Sequence, residues 1–367
     1  MKKWFLSLLA VVSVSCAQKS DLLTLFAGTY TDGFYVYSFD QASGKVVSTG
    51  PYEEAPGAYA KAGMPNPSFL CREGQMIYAV SEKSDSTASL YSWKMSGDSL
   101  QLVSSAPTGG PLGGAPCHVT TDGRFVSVAN YSGGALAFYR ILPDGGTSHP
   151  DTLIVSGTGG PDLRRQNKPH VHCSVFSPDG KYLFFSEFSS DEIGMADVTP
   201  MGLRSYRRAA SADPDTGCRH LVFDSSGTHL YLIGELSGAV TVYDYADGKL
   251  TRKQVIKADP GEARGGADIH LSPDGKFLYA SNRLKGDGLA IFSQNPQTGV
   301  LTYVGYQYTG VHTRNFAITP DGQFLLVACR DSDVIQVFRR DFESGLLKDT
   351  GKDIKLPHPV CVLCQIR

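Results

Sequence analysis

Charge is sparse in this sequence. Only 19% of the 367 residues are Asp, Glu, Lys or Arg, and the formal net charge is −2. The two signs are well mixed, so the basic face that a nucleic-acid binder needs is missing. No amphipathic helical pattern of useful length occurs beyond the extreme N-terminus, which argues against a helical or α/β class. No glycine-rich phosphate loop opens a helix, and no Gly-x-Ser-x-Gly elbow is present, so neither nucleotide chemistry nor a serine-hydrolase elbow is written here. A disulfide framework is lacking too. After Cys16 the cysteines are Cys71, Cys117, Cys173, Cys218, Cys329, Cys361 and Cys364, an odd number scattered singly. Cys361 and Cys364 have the spacing of half a zinc site, but no second pair exists. In a strand, residues three apart face opposite sides. The cysteines are therefore read as buried thiols acting as small hydrophobes. His170 and His172 could share one strand face as a metal half-site, yet no carboxylate pattern stands beside them, and no metal or cofactor is assigned.

What the chain does have is turns and aromatic, β-branched runs. There are 40 glycines and 20 prolines, with 18 tyrosines and 18 phenylalanines against two tryptophans. That combination indicates an all-β fold. Turn signals recur at Glu73-Gly74, Asp122-Gly123, Asp179-Gly180, Ser226-Gly227, Asp274-Gly275 and Asp321-Gly322, at steps of 47 to 49 residues and one of 57. A fixed period of this size marks a repeat architecture. Each turn is followed by an apolar strand (QMIYAVSE, RFVSVANY, KYLFFSEF, THLYLIGE, KFLYASNR, QFLLVACR), a short polar turn, a third strand and a weaker fourth. Four antiparallel strands per repeat describe a β-propeller blade.

The two ends complete the count. Leu22 to Tyr30 reads as a second strand and Phe34 to Phe39 as a third, with no first strand before them. Leu356 to Gln365 reads as a first strand with nothing after it. Joined, they make a seventh blade, and the expected fold is a seven-bladed ring closed by the C-terminal strand, a single domain over residues 22–367. Closure removes the exposed sheet edges. The long step places an insertion at roughly Thr147 to Lys168. Ahead of the domain, Met1 to Cys16 (MKKWFLSLLAVVSVSC) has two lysines, an apolar core too short to remain as a membrane span, and small residues before a cysteine. It reads as a secretory leader of lipoprotein type with Cys16 as the lipidated residue, although Ser13 stands where such boxes usually carry leucine. The expected location is periplasmic or membrane-anchored.

The start of each first strand and the end of each second strand lie on the rim opposite the turn, where blades converge on one mouth of the channel. The early register holds His172, Arg219, Ala267 and Arg314, followed by Cys173, His220, Asp268 and Asn315, with Cys117-His118 in the same place in the blade before. The late register holds Glu82, Tyr131, Phe188, Glu235, Arg283 and Arg330, preceded by Asn130, Glu187 and Asn282. Such side chains are rarely buried unless paired or used.

These residues carry a resemblance. NPSFL at Asn66, APCHV and VANYSGG around Cys117 and Asn130, RQNKPHVHC at Arg165, CRHLVF and GELSGAVTVY around Arg219 and Glu235, LSPDGKFLYASNR ending at Arg283, RNFAITPDGQFLLVA from Arg314, and PVCV near the end resemble the lactonase propeller family of cycloisomerase-type 6-phosphogluconolactonases and carboxymuconate-lactonising enzymes. The resemblance implies a functional His, two Arg and a Glu, which fall on His172, Arg219, Glu235 and Arg283. One departure is Glu187-Phe188-Ser189, where the family has Asp-Leu-Gly. The expected activity is hydrolysis of a sugar lactone or small anionic lactone. Glu235 or His172 serves as the base, with Glu235 preferred and His172 as acid or orienter. Arg219 and Arg283 grip negative charge, because guanidinium forks fit carboxylate and phosphate. His118, Asn130, His170, His220, Arg314 and Asn315 are expected to contact substrate, and Arg165 and Lys168 to supplement anion binding. A lactonising cycloisomerase on the same site, and a non-catalytic lipid-anchored binding propeller, are the alternatives.

Overall fold

Seven antiparallel sheets arranged in a ring make up the computed structural model, which describes residues 21–109, 114–157 and 159–366. The leader and Cys16 lie outside the described residues. Blades 1 to 6 begin with the inner strands Pro67–Glu73, Pro116–Thr121, Val171–Phe176, Cys218–Phe223, Gly266–Leu271 and Thr313–Ile318. Blade 7 takes its inner strand from the C-terminus: Pro359–Ile366 pairs with Leu22–Thr29, which pairs in turn with Gly33–Asp40. The closure expected from the two chain ends is the one observed. Its outer strand is split between Lys45–Val46 and Ala60–Gly63, both paired with Gly33–Asp40. The expected insertion at Thr147 to Lys168 is shorter than that range. Asp151–Ile154 is the regular outer strand of blade 2, and the extra chain is the segment after it.

The apolar residues form seven seams, one between each pair of neighbouring blades. Alternation along the second strands supplies both sides. In blade 4, Leu230 and Leu232 pack toward Phe184 and Ile193 of blade 3, while Tyr231 and Ile233 pack toward Leu278 and Phe292 of blade 5. Every residue of His229–Gly234 is buried as a result. Buried tyrosine hydroxyls tie blades together: Tyr78 donates to the Gly145 carbonyl, Tyr231 to Gly299 and Tyr279 to Gly345, at 2.8–3.1 Å. Cys361 and Cys364, three residues apart, pack on different seams, as their strand spacing requires.

A bulge interrupts the inner strand of every blade near its start. It falls at Ser68, Cys117, His172, Arg219, Ala267-Asp268 and Arg314, and opposite the Gly28/Thr29 step in blade 7. Cys218 and Leu221 both pack on the seam with blade 3, although residues three apart in an unbroken strand face opposite sides. The bulge absorbs the extra phase and turns Arg219 and His220 toward the channel. Bulges re-aim side chains in this way at many barrel rims.

Candidate active site

Glu235 is the hub of the channel mouth. It follows the second strand of blade 4, where its backbone N–H donates to Gly217 O at 2.8 Å, and it is only 4% exposed. Three guanidinium groups converge on its carboxylate. Arg219, at the bulge of the same blade, contacts Oε2 directly. Arg283 of blade 5 reaches Oε2 at 3.0 Å, and Arg165 reaches Oε1 at 2.6 Å from the segment between blades 2 and 3. Burial pushes the Glu235 carboxyl up, but Arg219, Arg283 and Arg165 overcome it and hold the group well below the usual carboxylate range. Burial and the neighbouring Arg219 in turn bring Arg283 down to about 9. The site carries more positive than negative charge, which suits an anionic ligand or a developing oxyanion.

Arg165 owes its place to Gln166. The Gln166 amide is fully buried and donates to Phe188 O at 3.0 Å and to Asp191 Oδ1 at 2.9 Å, pinning the segment to blade 3. Asp191 also accepts from the Gly217 and Asp215 backbone N–H groups. The Arg165 guanidinium then lies over the Phe188 ring, 5.1 Å from its centroid. Glu187 accepts the backbone N–H groups of His170, Ser189 and Ser190, so the Glu187-Phe188-Ser189 departure builds a turn that supports this segment. Lys168 is directed elsewhere, to Ser132 O at 3.0 Å.

His172 sits at the bulge of blade 3, buried, with Nδ1 3.7 Å from Cys117 Sγ. Burial, reinforced by Arg219 and further cationic neighbours, holds its pKa well below the ordinary imidazole value, so the ring is neutral at pH 7. Tyr131 stacks on His170 at 4.2 Å and meets His172 edge-on at 5.5 Å. Nδ1 of His170 lies 2.7 Å from Tyr131 O. Arg314 covers the Tyr30 ring and approaches Glu82 at 3.4 Å, and the Tyr30 hydroxyl donates to the same Glu82 oxygen.

One level deeper, the residues following the bulges form a second polar layer. His220 Nδ1 is 2.7 Å from Asp268 Oδ1. The other Asp268 oxygen takes His270 Nε2 at 2.8 Å and Asn315 Nδ2 at 2.5 Å. The His118, His172 and His220 rings adjoin, with His220 5.4 Å from His118 and 5.2 Å from His172, and the Phe69 ring lies tilted against His118 at 4.4 Å. Burial opposes the charge on Asp268, yet His270 and His220 hold its carboxyl well below the usual range.

The structure thus brings His172, Arg219, Glu235 and Arg283 to one mouth, with His118, His170, His220, Arg314 and Asn315 around and beneath them. The Asn130 amide donates to Thr108 O at 2.8 Å and the Asn282 amide to Ala258 O at 2.8 Å, each tying the second strand of its blade to the chain that leaves the outer strand of the blade before. The triple arginine contact on Glu235 and the Asp268–His270 pair are absent from the sequence reading. His270 is two residues from Asp268 on the same strand face, and that spacing was the available signal.

The family description "Lactonase, 7-bladed beta-propeller" matches residues 24–364. A 6-phosphogluconolactonase from Formosa agariphila is 34% identical, covering 90% of this chain and 96% of its own length. A crystal structure from Bacteroides uniformis, provisionally assigned as a 6-phosphogluconolactonase, superposes with a TM-score of 0.87 at 46% identity, covering 94% of this chain and all of its own. The periplasmic gluconolactonase of Pseudomonas aeruginosa superposes with a TM-score of 0.83 at 29% identity over 94% of this chain and 100% of its own.

Proposed function

The chain belongs to the lactonase family of seven-bladed β-propellers, and from that premise we propose that it hydrolyses the lactone of an aldonic acid, 6-phosphogluconolactone foremost, at the arginine-rich mouth. The observation that carries this reading is the convergence of Arg165, Arg219 and Arg283 on a single buried carboxylate. Opening a lactone needs a polarised carbonyl, an activated water and a stabilised oxyanion. Arg219 and Arg283, held by Glu235, supply fixed positive charge at the carbonyl. Arg165, 41% exposed at its side chain, faces the open side of the mouth and, with the more deeply set Arg314, grips the substrate's anionic group.

Glu235 is the anchor of this cluster and not its base. A carboxylate saturated by three guanidiniums, with its pKa driven far down, has little affinity for a proton of water. Neutral His172 acts as orienter, its ring N–H available to the lactone. The proton acceptor is then an imidazole of the channel. The similarity to a periplasmic gluconolactonase supports an exported enzyme acting on lactones outside the cytoplasm, and lipidation at Cys16 would fix it to a membrane.

The test is a panel of 6-phosphogluconolactone, glucono-δ-lactone and a carboxymuconate, each corrected for spontaneous hydrolysis. The phosphorylated lactone is expected to be opened with the highest kcat/KM. A purified mature protein that accelerates none of them refutes the proposal. Gln166→Ala should free the segment bearing Arg165 and raise KM about three- to tenfold with little change in kcat, because the lost interaction serves binding in ground and transition state alike. Steady-state kinetics on the preferred lactone checks this.

A further inference from the structure

The geometry points to His220 as the base that takes the proton from the attacking water, with Asp268 as the residue that positions it. The inference rests on the lactone-opening reading above and names the proton acceptor that reading requires.

Three imidazoles meet in the channel, and their partners differ. His118 places Nε2 3.5 Å from Cys173 Sγ and lies tilted against the Phe69 ring. His172 places Nδ1 beside Cys117 Sγ and is surrounded by Arg219, Arg283 and Arg314. His220 alone of the three has a carboxylate on its ring, Asp268 Oδ1 at 2.7 Å from Nδ1. Asp268 accepts hydrogen bonds and so fixes the proton on Nδ1, leaving Nε2 as the lone-pair nitrogen. That Nε2 is buried and has no hydrogen-bond partner among the described residues, in a residue only 4% exposed. A buried orphan acceptor costs free energy unless something polar comes to it. Water is the ligand of the right size and chemistry.

The carboxylate is itself locked. Asp268 Oδ1 accepts its neighbour Ile269 N at 2.9 Å, and Oδ2 accepts from His270 Nε2 and Asn315 Nδ2. Asn315 is fixed in turn by Val362 N of the closing strand, which donates to its Oδ1 at 2.7 Å. A base oriented by a carboxylate that others orient is the arrangement that keeps a catalytic imidazole in one tautomer and stabilises its charged form.

The step balances. Water gives one proton to His220 Nε2 as its oxygen bonds to the lactone carbonyl carbon, and the carbonyl oxygen becomes an oxyanion facing the guanidiniums. Collapse breaks the bond from that carbon to the ring oxygen, and the imidazolium returns the proton to the departing oxygen. The products are a hydroxyl and a carboxylic acid, which ionises to solvent.

The groups facing His220 set its titration. Arg219 is on its own strand, Asp268 and His270 come from blade 5, His118 from blade 2 and His172 from blade 3, while Phe69 of blade 1 carries no charge. Burial lowers the His220 pKa and Asp268 opposes it, with a net depression that leaves the ring neutral at pH 7. Activity should therefore fall on the acid side as the base becomes protonated.

The experiment is the pH dependence of kcat and kcat/KM for wild type, His220→Gln and Asp268→Asn on whichever lactone the wild type opens. His220→Gln is expected to lower kcat about 100-fold or more, leave KM within about threefold, and abolish the acid limb. Asp268→Asn removes the counter-charge of the imidazolium, so its acid limb should move to lower pH with a smaller loss in kcat. A purely structural role for either residue would lower activity without moving the limb. An acid limb that stays at the wild-type position in both variants overturns the inference. If His220→Gln does not yield folded protein, the Asp268→Asn limb decides alone, displaced or not. A wild type that opens no lactone would overturn the function itself and is thereby told apart from a failure confined to His220.

Discussion

Glu235→Gln is expected to reduce kcat/KM by about 100- to 1000-fold, the size of effect seen when preorganised oxyanion stabilisation is lost, and to lower the melting temperature as well. The substitution keeps the shape of the side chain and removes its charge. Arg219 and Arg283, both buried, then face each other without the carboxylate that reconciles them. Removing one partner of a buried ion pair costs about 3–5 kcal/mol, because the charge left behind stays desolvated. For a chain of this size that corresponds to a fall of about 4–7 °C. The pH dependence gives the sign. The folded-state pKa of Glu235 lies below its unfolded value near 4.3. Its contribution is thus complete above the unfolded pKa and is lost as pH falls through the folded one. The stability gap between wild type and Glu235→Gln should be full at pH 7 and begin to narrow below about pH 4. Thermal unfolding of both proteins from pH 7 to pH 3 checks this. A gap that stayed constant with pH would mean the carboxylate charge is not what holds the arginines.

The pH dependence of activity bears on mechanism. If Glu235 accepted the proton from water, the acid limb of wild-type kcat/KM would lie in the carboxylate range or lower. With His220 as base it lies below the ordinary imidazole value and moves when Asp268 loses its charge. The preference for Glu235 as base came from residue type alone. A glutamate across the blade from Arg219 looks like a base with a partner, and nothing in the sequence counts the second and third arginines. Arg165 is 70 residues away from Glu235, in a segment that breaks the blade period, so no repeat register could place it there.

What the period could reach, it reached well. Turn spacing gave the blades, the mismatched ends gave the closure, and the registers on either side of each turn gave the level of the channel at which polar residues gather. The bulges were out of reach. Their trace is a phase slip, apolar Cys218 and Leu221 three apart on one seam, which a strand pattern reads as noise. Yet the slip is what presents Arg219 and His220 in succession to the channel, so the repeat supplies the wall and its interruption supplies the chemistry. Asn130 shows the converse. At the same register its amide ties blade 2 to the chain leaving the outer strand of blade 1, a structural use that a polar residue type does not announce.

Deleting residues 359–367 should prevent the ring from forming. That segment contains the inner strand of blade 7, paired with Leu22–Thr29 over nearly its whole length. Val360, Cys361 and Val362 are almost fully buried, Cys361 on the seam with blade 1 and Val362 on the seam with blade 6. Burying three such side chains contributes about 5–8 kcal/mol, against a net stability for a folded protein of about 5–15 kcal/mol. Loss of the strand also exposes a row of unpaired backbone groups on Leu22–Thr29, an edge open to aggregation. The truncated chain is therefore expected to be insoluble or to lack a cooperative thermal transition and near-ultraviolet circular dichroism. A synthetic peptide of residues 356–366 added during refolding should restore both in part. Closure reaches the site as well, since Val362 N holds Asn315 and Asn315 holds Asp268. A complemented protein should regain its lactonase activity together with its transition, and a truncated chain that melts like wild type would show that the ring does not depend on its last strand.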